Sequence, residues 1–170
     1  MNVAPQIRLR AIEPEDLEFL YTIENDTSLW SVGNTNVPYS RYVLHDYIAH
    51  ANHDIYVDRQ VRLMVENENG NVVGIVDAVN FDPQHRRAEL GIVIMSAYRR
   101  QGFAKAAIEE MLHYALKVLH LHQVYVIVDK DNNAALKLFK CLSFRESACL
   151  SGWLYDGCDY HDSLLLQRIL

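Results

Sequence analysis

The sequence predicts an α/β protein: one mixed, mostly antiparallel sheet of about seven strands with helices on both faces. Three observations carry this. Residues 62–94 hold three strand-like runs in series, separated by turn signals, which reads as an antiparallel meander. Residues 104–119 then switch to helical periodicity and lead into a short apolar run, so a strand–helix–strand unit follows the meander. Two further strand-like segments close the chain as a hairpin.

Taken in order, residues 6–12 alternate apolar and polar like a half-buried strand. Glu13-Pro14-Glu15-Asp16 starts a helix, because proline suits a first turn and carboxylates complement the helix dipole. Leu17, Leu20 and Tyr21 continue it. Residues 40–52 form a second helix, with Leu44, Tyr47, Ile48 and Ala51 at helical spacing, and the polar stretch between, 30–39, is expected as a loop over a pocket. Residues 62–66 are a strand, Asn69-Gly70 a hairpin turn, 72–79 the returning strand and 88–94 a third. Ala104, Ala107, Ile108, Met111, Leu112 and Ala115 line one face of a long helix. Val124 to Val128 is a buried strand, 133–141 a helix, and 147–155 with 162–169 the final hairpin.

The 170 residues suit a single domain spanning 1–170. A net charge of −6 argues against a nucleic-acid binder, which needs surplus Lys and Arg, and suits a cationic partner such as an amine or a basic protein. Cys141, Cys149 and Cys158 are an odd count without a C-x-x-C pair, so neither a disulfide framework nor a metal site is expected. The opening residues lack a signal peptide's apolar core and no apolar run could cross a bilayer. A cytoplasmic protein without membrane contact is expected.

The chemistry-bearing stretch is Ser96-Ala97-Tyr98-Arg99-Arg100-Gln101-Gly102-Phe103-Ala104, between a strand and the longest helix. A turn into a helix N-terminus presents unpaired N–H groups and a positive dipole end, which together favour an anion. Gly102 lets the backbone approach a ligand, and Arg99 and Arg100 can add contacts to phosphate. From spacing alone, a helix start that happens to contain Gly and two Arg is equally open.

Arg99-x-x-Gly102-x-Ala104 resembles the Gln/Arg-x-x-Gly-x-Gly/Ala signature of the GNAT acetyltransferases, and Asn132-x-x-Ala135-x-x-x-Phe139-x-x-x-Ser143-Phe144 resembles their Asn-x-x-Ala/Ser-x-x-x-Tyr-x-x-x-Gly-Phe pattern. Within that superfamily the chain is most similar to the bacterial spermidine/spermine (diamine) N-acetyltransferases, through His85-Arg86-Arg87-Ala88-Glu89, residues 127–132, Leu142-Ser143-Phe144 and the opening Ile7-Arg8-Leu9-Arg10. Ribosomal-protein N-terminal acetyltransferases share several of these stretches.

The resemblance implies the GNAT fold and transfer of an acetyl group from acetyl-CoA to a primary amine. The acceptor would be a polyamine or small diamine, alternatively a protein N-terminus; a CoA-binding regulator without robust catalysis is the rival outside enzymes. It implies that Ile92, Val93 and Ile94 pair with the pantetheine arm, that Arg99, Arg100, Gln101, Gly102, Phe103 and Ala104 hold the pyrophosphate, and that Asn132 contacts the cofactor. A homo-oligomer, dimer or larger, is expected. An amine of pKa about 10.4 must lose a proton before attack, and Glu89 is the candidate base acting through water. The competing reading of Glu89 is a strand-edge carboxylate paired with Arg86 or Arg87.

Two positions depart from the family pattern. Its general acid is a Tyr where this chain has Phe139, whose ring is expected to be partly open to the cofactor channel but has no proton to give. Diamine acetyltransferases are expected to carry paired carboxylates just before Pro38-Tyr39, where Asn36 and Val37 stand. Tyr125 and Cys141 are the nearest substitutes for the acid by sequence.

Overall fold

A seven-stranded sheet runs through the computed structural model, which describes residues 4–29, 37–51 and 54–170. Its strands are β1 (Ile7–Arg10), β2 (Val61–Asn67), β3 (Val72–Asp82), β4 (Arg87–Ile94), β5 (Gln123–Asp129), β6 (Arg145–Tyr155) and β7 (Tyr160–Ile169), in the spatial order β1-β2-β3-β4-β5-β7-β6. Every neighbouring pair is antiparallel except β4 and β5, which α4 (Phe103–Lys117) joins as a crossover. The remaining helices are α1 (Leu17–Glu24), α2 (Arg41–His50), α3 (Ile55–Asp58) and α5 (Asn133–Cys141).

Side chains alternate between the sheet's faces, and each face has its own packing. On one, Ala107, Ile108, Met111 and Ala115 of α4, with Leu136 and Phe139 of α5, bury Val76, Ala78, Leu90, Val124 and Val126. On the other, Leu20 of α1 and Leu44 of α2 cover Met64 and Ile75, which face each other across β2 and β3. The predicted mixed sheet with helices on both faces is therefore the observed one.

Three local differences have physical causes. The helix expected from Glu13 begins as a 3₁₀ turn, Pro14–Asp16, and the buried Asp16 turns back to take two hydrogen bonds from Arg10, at 2.7 and 2.9 Å, and one from the Glu13 N–H. Helix α3 is a single turn capped by Asp54, too short to show a period. Strand β3 runs on to Asp82 through a register shift, where Asn80 adopts φ +52°. The loop expected over 30–39 lies, for residues 30–36 including Asn36, outside the described residues. Where the described chain resumes, the Asn25 side chain bonds both the N–H and the carbonyl of Tyr39, at 2.8 and 3.0 Å, and Val37 is exposed.

Candidate active site

The parallel pair β4/β5 is where the sheet opens. The two strands pair only over Arg87↔Gln123, Ala88↔Val124 and Glu89↔Tyr125. Past that point β4 stays with β3 and β5 stays with β7, so their carboxyl-terminal halves part and leave a gap. Crevices at the carboxyl ends of parallel strands are where α/β sheets bind ligands.

The β4 edge of this gap carries open peptide groups. The Met95 N–H donates to the Val73 carbonyl at 2.9 Å, so by alternation Val93 and Gly91 also face β3. Ile92 and Ile94, beyond the last paired position of the β4/β5 ladder, then present their N–H and C=O groups toward the gap. Of the expected strand residues, Ile92 and Ile94 are placed to pair with a ligand there and Val93 is turned away. The Ile94 carbonyl already accepts a hydrogen bond from Arg99 Nε at 3.0 Å.

Beyond β4 the chain turns through Ser96–Tyr98 into α4. Arg100 at φ +61° and Gly102 at φ +92° both lie in the left-handed region, a backbone pattern that gathers successive N–H groups into a concave anion site. Gln101 Nε2 ties the turn to the Ala97 carbonyl at 2.8 Å, and the Tyr98 and Phe103 rings meet edge to face at 5.8 Å. Gly102 is the N-cap of α4 and supplies no capping side chain; the first turn holds no acidic residue. A Cβ at Gly102 would also meet Pro5 Cδ at 3.0 Å, so glycine is required there by conformation and by packing as well as by any ligand. Uncapped helix end, left-handed turn, two exposed arginines and an open strand edge suit a long ligand with an anionic head, as acyl-CoA is.

At the apex of the gap stands Glu89, half-buried, its Oε2 accepting a hydrogen bond from Asn80 Nδ2 at 2.8 Å. The pairing with Arg86 or Arg87 does not form: Arg86 donates to the His120 carbonyl at 2.9 Å and Arg87 to Asp82 at 3.2 Å. Across the ladder from Glu89 lies Tyr125. Burial pushes the Tyr125 phenol up, and the Glu89 carboxylate beside it pushes the same way.

Sequence reasoning did not find a second charged cluster on the α1/α2 side. Arg62 bonds Glu24 at 2.6 Å and Asp77 at 2.9 and 3.2 Å, with the Tyr47 ring 6.0 Å away. Asp77 pairs with Gly91, two residues beyond Glu89 on β4. Burial pushes the Asp77 carboxyl up despite Arg62; burial also works against the Arg62 charge, but its carboxylate partners outweigh that and keep it protonated. Two carboxylates to one guanidinium leave this cluster acidic. No local motif announces it, because its members are separated by 15 and 38 residues.

Asn132 is the N-cap of α5, its side-chain oxygen accepting from the Ala135 N–H at 3.1 Å. Phe139 is not open to a channel. It is 4% exposed and packs edge to face on Phe144 at 5.2 Å. The reason is the helix end: Phe144 N–H bonds the Phe139 carbonyl and Ser143 N–H the Lys140 carbonyl, a Schellman closure whose apolar contact joins these two rings. Cys141, exposed, lines a cavity of about 470 Å³ with Glu109, His113 and Arg168; no residue of β4 or β5 lines it. Among the described residues no cluster of His, Cys, Asp or Glu has the form of a metal site, and no helix is long and apolar enough to cross a membrane.

A split parallel pair feeding an uncapped helix suits an acyltransferase, whose acyl-CoA could lie across the divided sheet. The chain matches the acetyltransferase (GNAT) domain family over residues 6–145 and belongs to it. It is 32% identical over 168 residues to the spermidine N(1)-acetyltransferase of Escherichia coli K12, covering 96% of this chain and 86% of the relative. Its fold is similar to that of spermidine N-acetyltransferase from Vibrio cholerae in complex with CoA and spermine, with a TM-score of 0.85 at 27% identity over 96% of this chain and 95% of the other. A dodecameric structure of the Vibrio cholerae enzyme matches with a TM-score of 0.79 at 26% identity over 96% and 94%. The protein is an N-acetyltransferase, and its acetyl donor is acetyl-CoA.

Proposed function

We propose that the acceptor is a polyamine or related small diamine, acetylated on a primary amine. The observation that carries this is the excess of carboxylate beside the gap: Glu89 at its apex, and the Glu24–Arg62–Asp77 cluster meeting β4 at Gly91. A di- or polycation is complementary to that surface, and the similarity to spermidine acetyltransferases runs over 96% of the chain. Residues 1–170 act as one catalytic domain. In this reading the peptide groups of Ile92 and Ile94 hold the pantetheine arm, with Val93 between them. An N–H of this edge faces the oxygen on which charge develops. The turn from Arg99 through Arg100, Gln101, Gly102 and Phe103 to Ala104 receives the pyrophosphate, and the amide nitrogen of Asn132 reaches the donor from α5. Glu89 takes the amine's proton through water.

Phe139 favours one second reading. A protein N-terminus, with pKa about 7.7–8.0, is partly deprotonated at neutral pH and needs less help from a base, which suits a site short of obvious acids and bases. The test is thiol release from acetyl-CoA with a panel of spermidine, spermine, a short diamine and peptides with free N-termini. Turnover with the polyamines is expected. Turnover confined to the peptides overturns the first reading, and none with any amine favours a CoA-binding regulator.

We further propose a homo-oligomer, supported by the exposed Trp153, Tyr155 and Tyr160 on the β6–β7 hairpin. A cytoplasmic location is supported by three free thiols, all exposed.

A further inference from the structure

The family's proton donor is missing here, yet the leaving thiolate still has to be dealt with. Phe139 carries no hydroxyl and is locked against Phe144. Cys141 sits in a cavity that no β4 or β5 residue lines. At the apex of the gap, among the described residues, stands a phenol. Tyr125 occupies the last paired position of β5 before the strands part, directly across from Glu89. Directly opposed residues of neighbouring strands share a face, so the phenol and the carboxylate lie together at the apex. Asn80, from the displaced end of β3, holds Glu89 at 2.8 Å. On the other side, Tyr125 is opposite Gln167 of β7, which bonds Gln123 at 2.9 Å. The ring is half-buried and held between two strands, on the same face as the candidate base directly across the ladder.

We propose that Tyr125 is the proton donor to the departing thiolate and forms a closed relay with Glu89. The inference rests on the acetyl-transfer reading of the gap. As the amine nitrogen bonds to the acetyl carbon, the carbon–sulfur bond breaks. The amine proton goes to Glu89, the Tyr125 hydroxyl gives its proton to sulfur, and Glu89 returns a proton to the phenolate. Before attack, the surplus proton of an ammonium substrate leaves through Glu89 and water to bulk solvent; from the free amine, one proton then enters the relay and one leaves on the thiol, so the protein ends as it began and no further reactant is needed. The pairing also accounts for a phenol that burial makes a weaker acid: its proton is replaced from the carboxyl group across the ladder. A relay of this kind makes Phe139 dispensable as an acid and leaves its ring to close α5.

Tyr125→Phe removes a single oxygen from a half-buried ring, so the fold persists. The expected result is a fall in kcat of about 10²-fold with KM for acetyl-CoA unchanged. A binding readout accompanies the kinetics. If the hydroxyl meets the sulfur, the protein binds CoA more tightly than desulfo-CoA in calorimetry, and Tyr125→Phe abolishes the difference while keeping desulfo-CoA affinity. A Tyr125→Phe variant with wild-type kcat, or one that still prefers CoA to the wild-type degree, overturns the relay. Wild-type protein that binds neither compound overturns the donor site itself and the relay with it.

Discussion

Two strand-to-helix junctions lie side by side at the mouth of the gap, β4 into α4 and β5 into α5, and they end in opposite ways. At α5 the chain satisfies itself. Asn132 caps the helix through its side-chain oxygen, and Asp129 accepts the N–H of Asp131 at 2.8 Å. At α4 the cap is Gly102, with no side chain to bond, no acid in the first turn and a left-handed turn before it. An uncapped 15-residue helix keeps its N–H groups and its positive end available. The difference teaches that a shared topology does not leave both junctions equally open to an anion; what the cap consumes, a ligand cannot use.

The largest effect should come from breaking that contrast at Gly102. Gly102→Glu puts a carboxylate onto the helix end and forces a side chain into φ +92° against Pro5. Gly102→Val adds only bulk and strain. Calorimetry on either folded variant should show CoA binding abolished. Undiminished affinity in both would mean that α4 is not the donor's anchor.

Next in size is Glu89, the carboxylate between the two junctions. Glu89→Gln keeps the shape and the reach to Asn80, and should lower kcat by about 10²-fold near pH 7. The loss should shrink but not vanish as pH rises toward the amine's own pKa of about 10.4, because there the amine arrives as the free base and Glu89 is left only the proton of the relay. Wild-type turnover at neutral pH would return Glu89 to a strand-edge role.

The junctions also explain what sequence could reveal. The turn into α4 is built of consecutive backbone, so the nine residues from Ser96 to Ala104 carried the proposed donor site, as helical periodicity displayed α4 itself. The sheet's seven strands were legible from alternation and turn residues, whereas the insertion of β7 between β5 and β6 was not, since strand order is set by tertiary packing. The Glu24–Arg62–Asp77 cluster was invisible because the sheet assembles it from three distant segments. Phe139 was placed by pattern at a channel, but its neighbour in space, Phe144, decided its environment. Its alignment to the acid position could not show that a Schellman closure had claimed the ring.

A smaller effect separates the two uses of Asn132. Asn132→Ser retains an oxygen able to cap α5 and removes the amide nitrogen, so stability should stay within a few tenths of a kcal/mol. If the amide reaches the donor, CoA affinity falls several-fold in the same variant. Asn132→Ala loses the cap as well and should cost about 1 kcal/mol in a denaturant titration. Unchanged CoA affinity in Asn132→Ser makes Asn132 a cap alone, which would sharpen the contrast with Gly102 further.

The smallest effect lies at the far end of α5. Ser143 sits at the position after the helix where a left-handed residue is needed, and its φ is +63°. The family pattern has glycine there. Serine carries a Cβ that crowds the following carbonyl in this conformation, a cost of roughly 1 kcal/mol relative to glycine. Offsetting it, glycine loses more backbone freedom on folding. The closure itself is complete, since Ser143 and Phe144 both bond back to the last turn and Phe144 packs on Phe139. Ser143→Gly should therefore relieve strain without altering contacts and stabilise the protein by about 0.5–1 kcal/mol. For a chain of this size that corresponds to a rise in Tm of about 1–4 °C. Turnover and CoA affinity should not change, because the residue is at the end of α5 remote from its capped N-terminus. A fall in Tm would mean that the serine hydroxyl supports the closure, and that this helix end, like the other, is held by its own side chain.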